Sequence, residues 1–552
     1  MVMKRYFLCT QEKLRFSITT LLLCALVSPL SFALQESTGP NGSNVQAVHD
    51  LGYTGEGISV GLISQDHARY THEAFFDKDG EGMPTGTSHA NYYNATDEDP
   101  TLYVPISHDT SVGGIICSRG GASYPNDKGA APAAELYSFR VTRNASETDP
   151  NKVIAPVWVQ EALDQALDDG CQIIVTGIQL GGATDGNSIW SLIYDYYAYE
   201  YNLVFATAAG NYASSVTVFG DTYNSITTGG LIGTATDLYG RVGSGSNPGP
   251  TSDGRQKPDI AAPSQNQWVP INGDISWRNE GTTAGQTSWS VPHTGGVAAV
   301  LLSYANSPES PEANDNQNEV IKAVIVNSTF PNIQDEYGTA TTGQVWNKYR
   351  GYGRIDAKRT YDILSSPKIT PSSSTENSKG WAYDTVASGQ QDSYTVQGIK
   401  NERLVVTLTW NRRIIWNDQN SPQNLGHGII EDGELEASLA DLDLEIYDPD
   451  DYDNAITTKF SAIDNLEKFD LLLTKTGDYL IKVVNQSGNE SADYAIAFEL
   501  LEPLEADYNT DYVVNGLDFS KLSAEWLNTL NLNDLLILAQ EWLTYDPKYY
   551  SP

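Results

Sequence analysis

Residues 285–293 read Gly285-Gln-Thr-Ser-Trp-Ser-Val-Pro-His293, and an uncharged, largely apolar run, Gly295 to Leu302, follows directly. That order puts Ser288 at the start of a helix, with its backbone N–H free to face an anionic oxygen. The helix N-terminus would also favour negative charge developing there. Standing alone, a serine in such a place is more often a helix cap.

Working outward, two further stretches share this character. His108 opens His108-Asp-Thr-Ser-Val-Gly-Gly-Ile-Ile116, again at a helix start, with small residues that allow close packing. Asn211 closes Phe205-Ala-Thr-Ala-Ala-Gly-Asn211 at the end of a buried-strand type run. Between Gly52 and Leu364 such runs alternate with helical spacing. Ile58 to Ile63, Cys171 to Thr176 and Leu203 to Ala208 read as strands, and Val157 to Asp169 reads as a helix ended by Gly170. Strands alternating with helices predict an α/β fold, a parallel sheet with helices on both faces, and ligands then sit at the carboxyl ends of the strands.

Acyl transfer to water needs an activated hydroxyl, a base, a group that orients the base, and donors for the oxyanion. Ser288, His108 and Asn211 supply three of these. Their surroundings resemble the subtilase (subtilisin-like, peptidase S8) family. Gln286-Thr-Ser-Trp-Ser-Val-Pro-His293 is similar to its Gly-Thr-Ser-x-x-x-Pro-His block, and His108-Asp-Thr-Ser-Val-Gly-Gly114 to its His-Gly-Thr-His-Val-Ala-Gly block. Ala208-Ala-Gly-Asn211 resembles the oxyanion-asparagine segment and Gln179-Leu-Gly-Gly182 the Ser-Leu-Gly-Gly strand beside the substrate. Lys257-Pro-Asp-Ile-Ala-Ala-Pro263 and Gly351-Tyr-Gly-Arg-Ile-Asp356 match two structural blocks. The resemblance implies a serine endopeptidase in which Ser288 is the nucleophile, His108 its base and Asn211 an oxyanion donor. Leu180, Gly181, Gly182 and Gly210 would then bind substrate.

The family carries its acid just after the first strand. Here the strand reads Val60-Gly-Leu-Ile-Ser-Gln-Asp66, with Ser64 at the ungapped position and Asp66 two residues on. Strand periodicity puts both side chains on one face, and Tyr70-Thr-His-Glu-Ala74, similar to the family's Tyr-Thr-His-Pro-Ala, implies an inserted residue. Asp66 is therefore the expected acid. Asp109 is expected to point away from His108, since helix neighbours diverge. Gln286, Trp289 and Asp109 depart from the family pattern. The competing expectation is a catalytically impaired peptide-binding protein of the same fold.

The 552-residue chain carries 33 basic and 70 acidic residues, a formal charge of −37. Such a surface disfavours nucleic acid and anionic membranes and suits calcium or a saline medium. Lys4, Arg5, Lys13 and Arg15, the apolar stretch Phe16 to Phe32 and Ser31-Phe-Ala33 read as a signal peptide over 1–33, cleaved after Ala33, which implies a secreted or extracytoplasmic protein with no membrane attachment thereafter. Cys117 and Cys171 would remain, as one disulfide or two buried thiols. A peptidase domain over 34–366 is followed by a Ser/Thr/Pro-rich linker at 367–379. Period-two segments such as Asp441 to Tyr447 and Tyr479 to Val483 then predict an antiparallel β-sandwich over 380–505.

Residues 506–552 contain a repeat: Asp518 to Leu527 matches Asp534 to Leu543. Ahead of the first helix stand Asp507, Asn509, Asp511, Asn515 and Asp518, with Val513 placed to offer a carbonyl. This is EF-hand-like Ca2+ spacing. The module resembles a dockerin, a small all-α unit, and the resemblance implies a cohesin-like partner.

Overall fold

The computed structural model describes residues 34–502, apart from 100–104, 144–152, 235–236, 282–283, 342, 418–429, 431–432, 487 and 489, together with Ile537. The expected signal segment lies outside the described residues, and so does the calcium-loop module except for Ile537.

The strands read from the sequence form one sheet. Its members are β1 (Ser59–Ser64), β2 (Ala90–Asn94), β3 (Glu135–Arg140), β4 (Cys171–Thr176), β5 (Val204–Ala208), β6 (Ile226–Ile232), β7 (Arg241–Val242) and β8 (Ile260–Pro263). The order is β7-β6-β5-β4-β1-β3-β2, with β8 on β6. Every pairing is parallel except β6 with β7. Alternate side chains of a strand face opposite ways. Val60 and Leu62 of β1, with Ile173 and Val175 of β4, enter one core. Ile63, Ile174 and Phe205 enter the other.

The first core is closed by α1 (Ser107–Cys117) and α4 (Val291–Ala305), the second by α2 (Pro156–Asp168) and α3 (Ile189–Tyr201). Helix α4 is the central one, buried from Val291 to Tyr304, which explains why its sequence is apolar all round. It lies so close to the sheet that a Cβ on Gly295 would overlap Val175 Cγ2. Overpacking of that kind costs about 1–3 kcal/mol.

Beside a two-stranded ribbon, Arg413–Trp416 with Leu435–Ser438, the described residues from 373 to 501 build two larger sheets. The strands are β9 (Ser373–Thr375), β10 (Lys379–Val386), β11 (Gln391–Gly398), β12 (Arg403–Trp410), β13 (Leu442–Asp448), β14 (Asp451–Lys459), β15 (Leu466–Leu472), β16 (Gly477–Asn485) and β17 (Ala492–Leu501). One sheet runs β9-β11-β16-β13-β14 and the other β10-β17-β12-β15. Tyr394, Leu404, Val406, Leu444, Ile481, Ile496 and other buried side chains of both sheets share a core.

The stretch 367–379 is not a free tether, contrary to expectation. Ile369 N–H donates to Trp381 O at 2.8 Å, and Ser373–Thr375 pairs in parallel with Tyr394–Val396. Tertiary pairing thus overrides the loop-like composition. The β10-β17-β12-β15 sheet packs its other face on α5 (Asn318–Asn327) and α6 (Ala357–Leu364), and Trp381, Ala495 and Ala497 join the first core of the parallel sheet. Cys117 and Cys171 are both buried free thiols. Among the described residues no helix is long and apolar enough to cross a membrane.

Candidate active site

Strands β1, β4 and β5 end side by side, and β1 lies between β4 and β3, where the chain order reverses. A cleft of about 410 Å³ opens at these strand ends, the position favoured for ligands in open parallel sheets. Its wall includes Gln65 after β1, Gly177 and Gln179 after β4, Asn211 after β5, His108 of α1, and Ser288 with Trp289 ahead of α4.

Ser288 stands in a single 3-10 turn, Thr287–Trp289, that leads into α4. It is 8 % exposed. Its Oγ donates to Gly177 O at 3.1 Å, so the hydroxyl rests on the end of β4 within the cleft that His108 also lines. Hydrogen bonds used in catalysis are often loose or differently aligned before substrate binds. The His108 ring packs against the Trp289 ring with centroids 5.4 Å apart. Trp289 therefore walls His108 on one side of the cleft.

Asn211 has a fixed amide. Its Oδ1 accepts from Thr287 N–H at 2.7 Å and from Thr287 Oγ–H at 3.1 Å. Only its NH2 end remains to donate into the cleft. Its own backbone N–H is held by Gln179 Oε1 at 2.5 Å. Thr287 and Gln179 stood in the quoted sequence blocks without a role of their own; the signal for Thr287 was its place beside Ser288.

The expected substrate strand divides in two. Leu180 lines the cleft and pairs with Val218, whose N–H donates to Leu180 O at 3.1 Å. Gly181 has open space where a Cβ would be, while Gly182 sits at φ +155° with Val218 behind it. Gly210 is buried: its N–H donates to Thr287 Oγ1 at 3.2 Å, and at φ +97° a Cβ would overlap Thr217 Oγ1. That bond ties it to the turn that carries Ser288.

The acid is where the structure departs most from expectation. Asp66 is buried, but its Oδ1 lies 2.8 Å from His67 Nδ1, not at His108. The carboxylate at His108 is that of Asp109, with Oδ1 2.9 Å from His108 Nδ1. Its Oδ2 accepts the Asp66 backbone N–H at 2.8 Å. The divergence of helix neighbours fails here because both residues sit in the first turn of α1, after Ile106 in an extended conformation. There two short side chains can turn to one side, and Nδ1 is the ring nitrogen nearer the backbone. Among the described residues no group of three or more His, Cys, Asp or Glu could hold a metal ion.

The chain is similar over part of its length to known proteins. The model of the family described as "Subtilase family" matches residues 55–353, more than half of the chain. Pyrolysin of Pyrococcus furiosus is 25% identical over 269 residues, which cover 43% of this chain and 18% of that protein. The serine protease AprX of Bacillus subtilis is 26% identical over 275 residues, 45% of this chain and 58% of that one. The match thus spans less than two thirds of either relative's length. Among solved structures, the Clostridium perfringens CspB protease aligns at a TM-score of 0.46 and 14% identity, over 60% of this chain and 99% of that one.

Proposed function

The chain belongs to the subtilase family, and from that premise we propose that it is a serine endopeptidase that hydrolyses peptide bonds through an acyl-enzyme on Ser288. The observation that carries this reading is the convergence of Ser288, His108 and Asn211, from three separate elements, on one cleft. His108 Nε2, the ring nitrogen not engaged by Asp109, takes the Ser288 proton as Oγ attacks the carbonyl carbon. Ser288 N–H and the Asn211 NH2 hold the oxyanion. The imidazolium then gives its proton to the leaving amine, and water repeats the sequence on the ester. An extended peptide would lie along Leu180 and Gly181.

Active-site-directed fluorophosphonate labelling tests the proposal on folded full-length protein. Labelling at Ser288 supports it. A folded protein that neither labels nor cleaves a denatured substrate points instead to a peptide-binding protein of this fold. The observation that favours that second reading is the Ser288 hydroxyl resting on Gly177 O.

We further propose export, with processing after Ala33. Support comes from Leu34, whose N–H lies 2.7 Å from Asp127 Oδ1. Processing there would turn that amide into an ammonium facing a buried carboxylate. The two sheets from 373 to 501 are read as a β-sandwich that buttresses the peptidase domain. For the tail, the all-oxygen donor set Asp507, Asn509, Asp511, Asn515 and Asp518, with the Val513 carbonyl, suits Ca2+. A cohesin-like partner is the proposed role of that module.

A further inference from the structure

We propose that Asp109 is the positioning carboxylate of this site, holding His108 from the helix side in place of an acid at the end of β1, and that Ser64 marks the vacated strand position. The proposal rests on the reading of Ser288 and His108 as nucleophile and base.

Three observations carry it. The first is contact: Asp109 Oδ1 lies 2.9 Å from His108 Nδ1. The second is confinement. The Asp109 side chain is 1 % exposed, and its second oxygen accepts the Asp66 N–H at 2.8 Å. A carboxylate pinned on both sides cannot swing away. The turn after β1 therefore holds through its backbone the carboxylate that meets His108, while its own carboxylate at Asp66 faces His67. The third is that both side chains offered at the end of β1 are engaged elsewhere. Ser64 is buried and uncharged, and its Oγ donates to Asp66 O at 2.8 Å, shaping the turn. The Asp66 carboxylate is turned to His67, whose ring stacks on Tyr92 with centroids 4.1 Å apart. The titratable groups packed near Asp109 are thus His108 on its own helix and Asp66 and His67 on the turn after β1.

The chemistry follows from one hydrogen bond. Asp109 accepts Nδ1–H, which leaves the lone pair on Nε2 facing the cleft. When Oγ bonds to the carbonyl carbon, the hydroxyl proton passes to Nε2 and the imidazolium is stabilised by Asp109, which stays ionised. The proton then leaves from Nε2 to the departing amine as the C–N bond breaks.

The two sequence departures, Ser64 at the strand end and Asp109 after the His, are on this account one compensated change. The test uses full-length protein, with kcat/KM for a peptide substrate measured across pH. Asp109→Asn is expected to lower kcat/KM by about 10³–10⁴-fold, since the amide favours the wrong tautomer. Asp109→Ala is expected to move the acid limb of the profile to lower pH, because His108 loses a negative neighbour; a merely structural role would leave that limb in place. Asp66→Ala should cost less than about ten-fold, because it keeps the backbone N–H. Ser64→Asp in the Asp109→Gly background should recover activity over Asp109→Gly alone. The assignment is overturned if Asp109→Ala stays within ten-fold of wild type with an unmoved limb, or if Asp66→Ala matches Asp109→Asn. Wild type that fails to label at Ser288 would sink the underlying reading, and this assignment with it.

Discussion

At the scale of single residues, the site depends on how few polar contacts fix the donors. Asn211 is aimed by Thr287 through two hydrogen bonds to Oδ1. Asn211→Ala is expected to lower kcat by about 10²–10³-fold, the usual cost of one oxyanion donor, with KM changed only a few-fold. Steady-state kinetics separate the two. Thr287→Val keeps the backbone bond and removes the hydroxyl, so a smaller loss in kcat is expected. Ser288, His108 and Asn211, which the fold brings to one cleft, could be picked out in the sequence because each lies in a short block with its own chemistry. Asp109 was not, because spacing along a chain does not say which way two side chains in a first helical turn will point. The clue that could have found it was the pairing of departures: a charge missing at Ser64 and a charge gained beside His108.

At the scale of elements, α4 and the N-terminal segment make separate predictions. His293 lies in α4, fully buried, and neither ring nitrogen has a partner among the described residues. Burial pushes its pKa down to about 3 from 6.5. Above pH 6.5 the ring is neutral in both folded and unfolded chains and the stability is unaffected. Below it the unfolded chain takes up a proton that the folded chain refuses, so stability falls progressively toward pH 3. Between pH 6.5 and 5 the expected loss is about 2 kcal/mol. His293→Leu should flatten that arm in denaturant titrations; an arm of unchanged slope would rule His293 out as its source.

The Leu34 contact makes the second prediction. The short helix Leu34–Thr38 presents its first N–H to Asp127, whose carboxyl burial pushes up to about 6. In a chain that starts at Leu34, an ammonium would meet that carboxylate. Asp127→Asn should then cost about 2 kcal/mol, the scale of a hydrogen bond to a charged group, and cost less in a chain with one residue added before Leu34. Equal losses in thermal unfolding of the two chains would mean that the ammonium plays no part.

At the scale of the molecule, the peptidase layer and the two C-terminal sheets are joined by buried contacts rather than by a flexible tether. Arg359 Nη2 of α6 meets Glu499 Oε2 of β17 at 2.8 Å, and both are buried. Thr407 Oγ1 donates to Asn327 Oδ1 at 2.9 Å, and Lys468 Nζ donates to Val326 O at 2.7 Å. Burial pushes the Lys468 pKa down to about 7. Ending the chain after Ser365 would bare the apolar face of α5 and remove the acid that pairs with Arg359. Removing one partner of a buried ion pair costs about 3–5 kcal/mol, so Glu499→Ala is expected to lower stability by that order and the truncated chain to fail to fold. A truncated chain that unfolds at the same temperature as the full one would contradict this.

The alternating strands of the first layer and the period-two strands of the second were readable from hydrophobic pattern. Their mutual packing was not. The 367–379 segment shows why: its Ser and Pro content says loop, and only the presence of Tyr394–Val396 and Trp381 makes it part of a sheet.

The central claim is that Ser288 is a nucleophile. Its most direct test is the site of covalent modification when folded full-length protein meets a fluorophosphonate, with denatured-protein hydrolysis followed in parallel for wild type and Ser288→Ala. One adduct is expected, on Ser288, with hydrolysis abolished by Ser288→Ala. An unmodified Ser288 in folded protein, or hydrolysis that survives Ser288→Ala, would contradict it.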